Sequence, residues 1–345
     1  LEDQLFIPEI SGEMKILVVR FSSIGDVVLT TPVIRAIKEQ CPDFEIQFIT
    51  KEVFRSLVEH NPHISKVHTF KRSIKEVMPQ LKLERFDRII DLHHNLRSVI
   101  LSFYLGLKAE RFRKLNLLKW ILVNLKWKVM PDLHVVDRYF GAVRILGVQN
   151  DQKGAELFLS VQDKVDVKHK LGFESGNYIA VAIGAQFATK RMPAELLVNV
   201  LQKLEFPIVL CGGENDAEMA ELVIKSLPKK QIHNACGKFS LLQSASIVSQ
   251  SATLITNDTG LMHIASCFKI PIVSVWGNTV PELGMYPYFP KNKALYSLHQ
   301  VEGLKCRPCS KIGFQSCPKG HFDCMRNQDA EDIASKAKSL FFFEK

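Results

Sequence analysis

The segment Asn257-Asp258-Thr259-Gly260-Leu261-Met262-His263 places a carboxylate, a hydroxyl and a glycine directly after the apolar run Thr253-Leu254-Ile255. Leu261, Ile264 and Ala265 then share one face of a helix. A strand leading into a helix start leaves free backbone N–H groups aimed at the turn between them, an arrangement that suits a phosphate. The same arrangement makes Asp258 or Thr259 a helix cap, and the turn alone leaves both readings open. A second turn of this kind, Arg20-Phe21-Ser22-Ser23-Ile24-Gly25-Asp26, follows the apolar run Lys15-Ile16-Leu17-Val18-Val19. Its glycine spacing does not match the dinucleotide fingerprint. What distinguishes it is Asp26, a carboxylate at a strand end, where it can take a proton from a hydroxyl nucleophile, a role worth roughly 10²–10⁴ in rate. As a lone acid after a glycine, it fits a helix N-cap equally well.

Alternating strands and helices position these turns. In the first half, strands are expected at Lys15–Val19, Glu45–Ile49 and Arg88–Leu92, with helices over Val27–Gln40 and Leu96–Leu105. A charged stretch from Gln162 to Glu174 marks a boundary, after which the pattern restarts. The second half has strands at Tyr178–Ile183 and Pro207–Cys211, helices over Ala194–Leu204 and Asp216–Leu227, then the opening turn and a further strand at Ile270–Trp276. This alternation indicates α/β architecture, with two doubly wound parallel-sheet domains. Their bounds are read as 14–165 and 175–328, with a helix over 329–345 packing back on the body.

The chain has 345 residues, 46% hydrophobic and 23% charged, a soluble globular composition longer than one core usually organises. No apolar run approaches the ~20 residues that span a membrane. Leu1 to Glu13 lacks the basic and apolar regions of a secretory leader, so a cytoplasmic protein is expected. The formal net charge of +9 points to an anionic partner. Much of it lies between Lys108 and Lys128, where Arg111, Arg113, Lys114, Lys119 and Lys126 interleave with Trp120, Trp127 and several leucines. Such a segment suits an anionic membrane surface, or is an ordinary helix with solvated lysines. Four of the eight cysteines, Cys306, Cys309, Cys317 and Cys324, surround His321 near the end. Their spacing is compatible with structural zinc, with reduced packed thiols or with disulfides.

Five segments together resemble the ADP-heptose:lipopolysaccharide heptosyltransferase family, glycosyltransferase family 9. They are Ile16 to Pro32 around Ser22-Ser23-Ile24-Gly25-Asp26, Asp91-Leu92-His93-His94-Asn95-Leu96-Arg97-Ser98, Ile183-Gly184-Ala185 through Lys190-Arg191-Met192-Pro193, Gly212-Gly213-Glu214, and Asn257 to Ala265. The resemblance runs from Met14 onward. It implies a GT-B fold of two facing Rossmann-like domains with a central cleft, and an inverting transfer of heptose from ADP-heptose to the lipopolysaccharide inner core. It makes Asp26 the general base and Lys190 the group that neutralises the leaving diphosphate. Donor contacts fall on Arg191, Glu214, Asp258, Thr259, Gly260, Leu261 and His263, with Glu214 accepting from ribose hydroxyls. Acceptor contacts fall on Ser22, Ser23, Gly25, His94 and Arg97. The resemblance implies no metal and no cofactor. Two departures stand out: Met192 replaces the family's usual Trp before the proline, and His93-His94-Asn95 replaces its more common Gln-Gly pair.

The expected partners are therefore a nucleotide sugar, a lipid-anchored saccharide and the anionic inner face of the inner membrane, where the enzyme is expected to be peripheral. Two rival readings are a family member with another donor or acceptor, and a nucleotide-sugar epimerase on a similar scaffold. Nucleic acid is not an expected partner, since charge alone suggests it and no binding motif accompanies the charge.

Overall fold

A computed structural model describes residues 12–343. The segment 1–11, on which the expected absence of a leader rests, and the last two residues of the expected C-terminal helix lie outside the described residues. The chain divides into two compact units, one comprising residues up to Lys114 together with Leu133–Phe158, the other Leu115–Asp132 together with Leu159 onward.

The first unit runs β1 (Met14–Val19), α1 (Ile24–Val28), α2 (Thr31–Gln40), β2 (Phe44–Lys51), β3 (Lys66–Phe70), α3 (Met78–Leu83), β4 (Arg88–Asp91), α4 (Leu96–Leu105) and β5 (Ala109–Arg111). Its strands pair in the order β3-β2-β1-β4-β5, every pair parallel. The helix expected over Val27–Gln40 is two helices. Pro32 lacks an N–H and belongs in a first turn, so the chain restarts at Thr31 instead of continuing from α1. The basic segment 108–128 is also divided. Its start forms β5, whereas α5 (Asn116–Leu125) packs in the second unit by burying Leu122 with Val280 and Leu283. Lys126 Nζ donates to the Pro308 carbonyl at 2.6 Å. Residues 115–132, read from sequence as part of a 14–165 domain, thus group with the later half, because their apolar partners lie there.

The chain then returns to the first unit through α6 (Val135–Phe140), and Arg35 on α2 holds the returning segment. Its guanidinium donates to both oxygens of Asp151, at 2.7 and 2.9 Å, to Glu156 at 2.8 Å and to the Gly154 carbonyl at 2.8 Å. The buried Arg35 is the cation shared by these two acids, so Arg35→Ala leaves both without it. The expected loss is about 3 kcal/mol of stability by urea titration, and a loss below about 1 kcal/mol would contradict this account.

The second unit continues with α7 (Val167–Leu171), β6 (Ile179–Ala182), α8 (Ala194–Leu201), β7 (Ile208–Cys211), α9 (Ala217–Ser226), β8 (Ile232–Asn234), α10 (Leu241–Ser249) and β9 (Thr253–Asn257). It ends with α11 (Gly260–Cys267), β10 (Ile272–Trp276), β11 (Tyr296–Gln300), α12 (Asp323–Arg326) and α13 (Ala330–Phe341). Six parallel strands pair in the order β11-β10-β9-β6-β7-β8. Alternate residues of its strands enter two separate cores. Ile179, Val181, Leu210, Ile255 and Val275 lie on one side, and Ala180, Ala182, Val209, Leu254 and Trp276 on the other. A sheet covered on both faces requires such unbroken apolar strands. Asp329 caps α13 by accepting from the Glu331 and Asp332 N–H groups, and Ile333, Ala334, Ala337 and Leu340 bury its inner face.

Both units are wound alike. The chain steps outward from β1 through β2 to β3 and then resumes on the other side of β1 with β4; in the second unit it steps from β6 through β7 to β8 and resumes beside β6 with β9. Each sheet therefore has a topological switch point, β1/β4 in one and β6/β9 in the other. Ligands of open parallel sheets bind outside the carboxyl ends of the strands at such points.

Candidate active site

At the β1/β4 switch point Val19 is in register with Asp91, so the turns after the two strands emerge side by side. Arg20, buried at the end of β1, pairs through one terminal nitrogen with Asp26 Oδ1 and donates through the other to the Leu92 carbonyl. Its Nε donates to the Ser22 carbonyl at 2.9 Å, and the guanidinium carbon lies 5.7 Å from the centre of the buried Tyr139 ring. Burial works against the Arg20 charge, but Asp26 and Tyr139 outweigh it and hold the guanidinium above its ordinary range. The second Asp26 oxygen accepts from the Ser23 hydroxyl at 2.7 Å and the Ser23 N–H at 3.2 Å. The capping reading therefore holds in part: Asp26 reaches back to the first residue before α1 while also forming an ion pair. Its side chain remains 23% exposed, and its partner Ser23 is exposed.

The second turn of this switch point is organised by Asp91, which is fully buried. Its Oδ1 accepts from the His93 N–H at 3.1 Å and the His94 N–H at 2.6 Å; its Oδ2 accepts from Ser98 Oγ at 2.7 Å and Arg111 Nε at 3.2 Å. These bonds place the two histidines differently. His93 packs against Phe21, ring centres 4.8 Å apart, and lies within the fields of Arg20, Asp26 and Arg97. Burial first, then Arg20 and Lys114, lower its imidazole to about 3, so it is neutral at physiological pH. His94, the residue favoured from sequence, has a left-handed backbone and its ring neighbours Phe112 at 6.5 Å. Arg97 lies 5.9 Å over Phe21. Gly25 is buried within α1. Arg20 and His93 thus join the predicted cluster. The signal for Arg20 was its position at the strand end, six residues ahead of Asp26.

At the β6/β9 switch point Ala182 is in register with Thr256. Fully buried Asn257 locks the two strand ends, its amide donating to the Ala182 and Ile183 carbonyls at 3.3 and 3.2 Å and its carbonyl accepting from the Met192 N–H at 3.1 Å. Lys190 Nζ then meets Asp258 Oδ2 at 2.6 Å, and Thr279 Oγ1, from the loop after β10, donates to the same oxygen at 2.8 Å. Thr259 occupies the cap position of α11 without making a side-chain cap hydrogen bond, and Asp258 is turned toward Lys190. Neither side chain accepts from the first N–H groups of α11. Gly260 and Leu261 open the helix, whereas His263 is buried within it.

The remaining predicted donor residues divide. Glu214 is exposed just beyond β7, on a turn against which Gly237 closes; a Cβ on Gly237 would lie 2.8 Å from Glu214 Cα. Arg191 ties the turn to its own scaffold, donating to the Ala185 carbonyl at 2.8 Å and lying 3.4 Å from Asp216 Oδ1. Asp216 was missed from sequence. Its Oδ2 accepts from the Gly213 N–H at 2.9 Å and approaches Gly184 so closely that a Cβ there would lie 2.1 Å away. Met192, at the family's tryptophan position, is buried in the core.

The cysteine segment reaches this site through the loop after β10. Arg307, between Cys306 and Cys309, donates to the carbonyls of Gly277, Val301 and Thr279 and to Gln300 Oε1, bracing the loop that carries Thr279. Cys309 Sγ contacts the Cys306 carbonyl at 3.0 Å, and Cys306 Sγ lies 3.8 Å from His321 Nε2. Burial, reinforced by neighbouring thiols, pushes Cys309 up to about 11 and Cys324 up to about 12. All eight cysteines are free, and among the described residues no group of three or more His, Cys, Asp or Glu is arranged to hold a metal ion.

A family model for "Glycosyltransferase family 9 (heptosyltransferase)" matches residues 74–312. The lipopolysaccharide core heptosyltransferase OpsX of Haemophilus influenzae is 23% identical over 343 residues, covering 94% of this chain and 96% of that protein. A glycosyltransferase family 9 structure from Veillonella parvula superposes with TM-score 0.77 at 22% identity, covering 95% of this chain and 97% of its own. The ADP-heptose lipopolysaccharide heptosyltransferase II of E. coli superposes with TM-score 0.70 at 19% identity, covering 95% and 98%.

Proposed function

The chain belongs to glycosyltransferase family 9, and from that premise we propose that it transfers heptose from ADP-heptose to the lipopolysaccharide inner core with inversion at the anomeric carbon. The observation that carries this reading is the uncapped start of α11 at the β6/β9 switch point, flanked by the Lys190–Asp258 pair. A helix start and a lysine together form a diphosphate site. In the proposed step an acceptor hydroxyl replaces Ser23 at Asp26 Oδ2 and gives up its proton there as its oxygen attacks the anomeric carbon. The bond to the diphosphate breaks on the opposite face, and the charge left on the phosphate is met by Lys190 and the α11 N–H groups. Arg20 keeps the Asp26 carboxylate oriented throughout. Glu214 takes the ribose hydroxyls, and Ser22, Gly25, His94 and Arg97 line the acceptor side together with His93. The enzyme works at the cytoplasmic face of the inner membrane on a lipid-anchored saccharide. Among the described residues no helix is long and apolar enough to cross a membrane.

A thermal-shift series with ADP, UDP and GDP tests the donor. A ligand at 100 times its dissociation constant stabilises by about 2.7 kcal/mol, and ADP is expected to give the largest shift. Equal shifts from all three nucleotides would remove the preference for adenine. Turnover of nucleotide sugar in the absence of acceptor would favour an epimerase instead.

A further inference from the structure

Helix α4 is built inside out. Its exposed residues Leu96, Val99, Ile100 and Phe103 fall at i, i+3, i+4 and i+7, the spacing of a buried apolar stripe, and Phe103 is 90% exposed. Its inward face carries Leu101 together with Ser98 and Ser102. The serines are held inside by polar work: Ser98 Oγ donates to Asp91 and Ser102 Oγ accepts from Arg111 at 3.1 Å. The demand of the Asp91 turn for hydroxyls therefore leaves the large apolar side chains of α4 facing outward. Cations rim them. Arg97 and Lys108 are exposed at the two ends of the helix, and Lys82 of α3 lies 5.2 Å over the half-exposed Tyr104 ring. No acidic residue occurs between Asp91 and Glu110.

We propose that the outer face of α4 is a membrane-docking surface that enters the headgroup region of an anionic bilayer. An apolar stripe rimmed by lysine and arginine, with no acid along the helix, matches the chemistry of such an interface on both counts. The helix extends directly from the Asp91–Asn95 turn, so docking brings that turn to the level at which a lipid-anchored saccharide leaves the membrane. The choice of a bilayer over a protein partner rests on the proposed lipid-anchored acceptor.

Vesicle sedimentation tests the proposal, using phosphatidylethanolamine vesicles with and without phosphatidylglycerol and the Ile100→Ser/Phe103→Ser double variant. Both positions are solvent-exposed, and a melting curve checks that the fold is retained. The wild type is expected to bind vesicles containing phosphatidylglycerol, and the variant to bind them roughly tenfold more weakly. Lys108→Glu is expected to weaken binding to the same vesicles and to leave the protein indifferent to their phosphatidylglycerol content. Transfer to a membrane-embedded acceptor should fall with binding, whereas transfer to the same acceptor stripped of its acyl chains should be unchanged. Wild-type vesicle binding by the double variant would overturn the proposal. So would a concentration-dependent dimer that the double substitution dissolves, because a second copy would then cover the face. Absence of transfer to either acceptor by the wild type would count against the proposed function, while the vesicle measurement would still judge the docking surface.

Discussion

Asp26→Ala is expected to lower turnover by roughly 10²–10⁴ while ADP affinity stays at its wild-type value. The carboxylate is proposed to take the acceptor proton, and the diphosphate is assigned to residues of the other unit, so the two measurements should separate. A structural effect accompanies the substitution. Arg20 is buried, and without Asp26 its charge is left with the Ser22 and Leu92 carbonyls and the Tyr139 ring. Breaking a buried pair costs up to about 3–5 kcal/mol, and the partial exposure of Asp26 reduces that figure. The double variant Asp26→Ala/Arg20→Met removes the stranded charge and is expected to recover much of the stability. If turnover recovered along with it, Asp26 would be a structural partner and not the base.

Lys190→Ala is the second large effect. Removing one preorganised charge at a leaving group typically costs roughly 10²–10³ in rate, and here the loss should be compounded. Asp258 is 12% exposed and shares its Oδ2 with Lys190 and Thr279. Without the lysine this carboxylate stays beside an incoming diphosphate and repels it. ADP affinity measured by calorimetry should therefore fall further in Lys190→Ala than in Lys190→Ala/Asp258→Asn, a coupling that a double-mutant cycle reads directly. Additive effects would mean that the ion pair and the diphosphate site are independent, and wild-type ADP affinity in Lys190→Ala would end its phosphate role.

Legibility from sequence followed the range of the interactions. The turns at Ser22–Asp26 and Asn257–Gly260 stood out because each is local: a buried strand, small residues and an acid within a few positions. Their cap readings also had a local basis, and the structure resolved the two turns differently. Asp26 does reach back to Ser23, whereas Thr259 makes no side-chain cap and Asp258 is drawn off by Lys190, 68 residues earlier in the chain. Short edge strands such as β5 and β8, three residues each, went unread because so few residues carry no periodicity. The histidine turn was legible only in part, for another reason. Which of two adjacent rings meets Arg20 depends on the N–H bonds to Asp91 and on the left-handed backbone at His94, and composition does not encode these.

The sequence alone therefore determined the class of the fold and the residue types presented at its turns, because continuous apolar strands and cap-like acids are properties of short segments. Tertiary structure decided the order of strands around β1 and β6, the grouping of 115–132 with the second unit, the sharing of Asp258 by Lys190 and Thr279, and the outward turn of the apolar face of α4. Any apolar strand offers the same backbone hydrogen bonds to any neighbour. Which strands become neighbours, and so which side chains meet at a switch point, is settled by the packing of the whole unit.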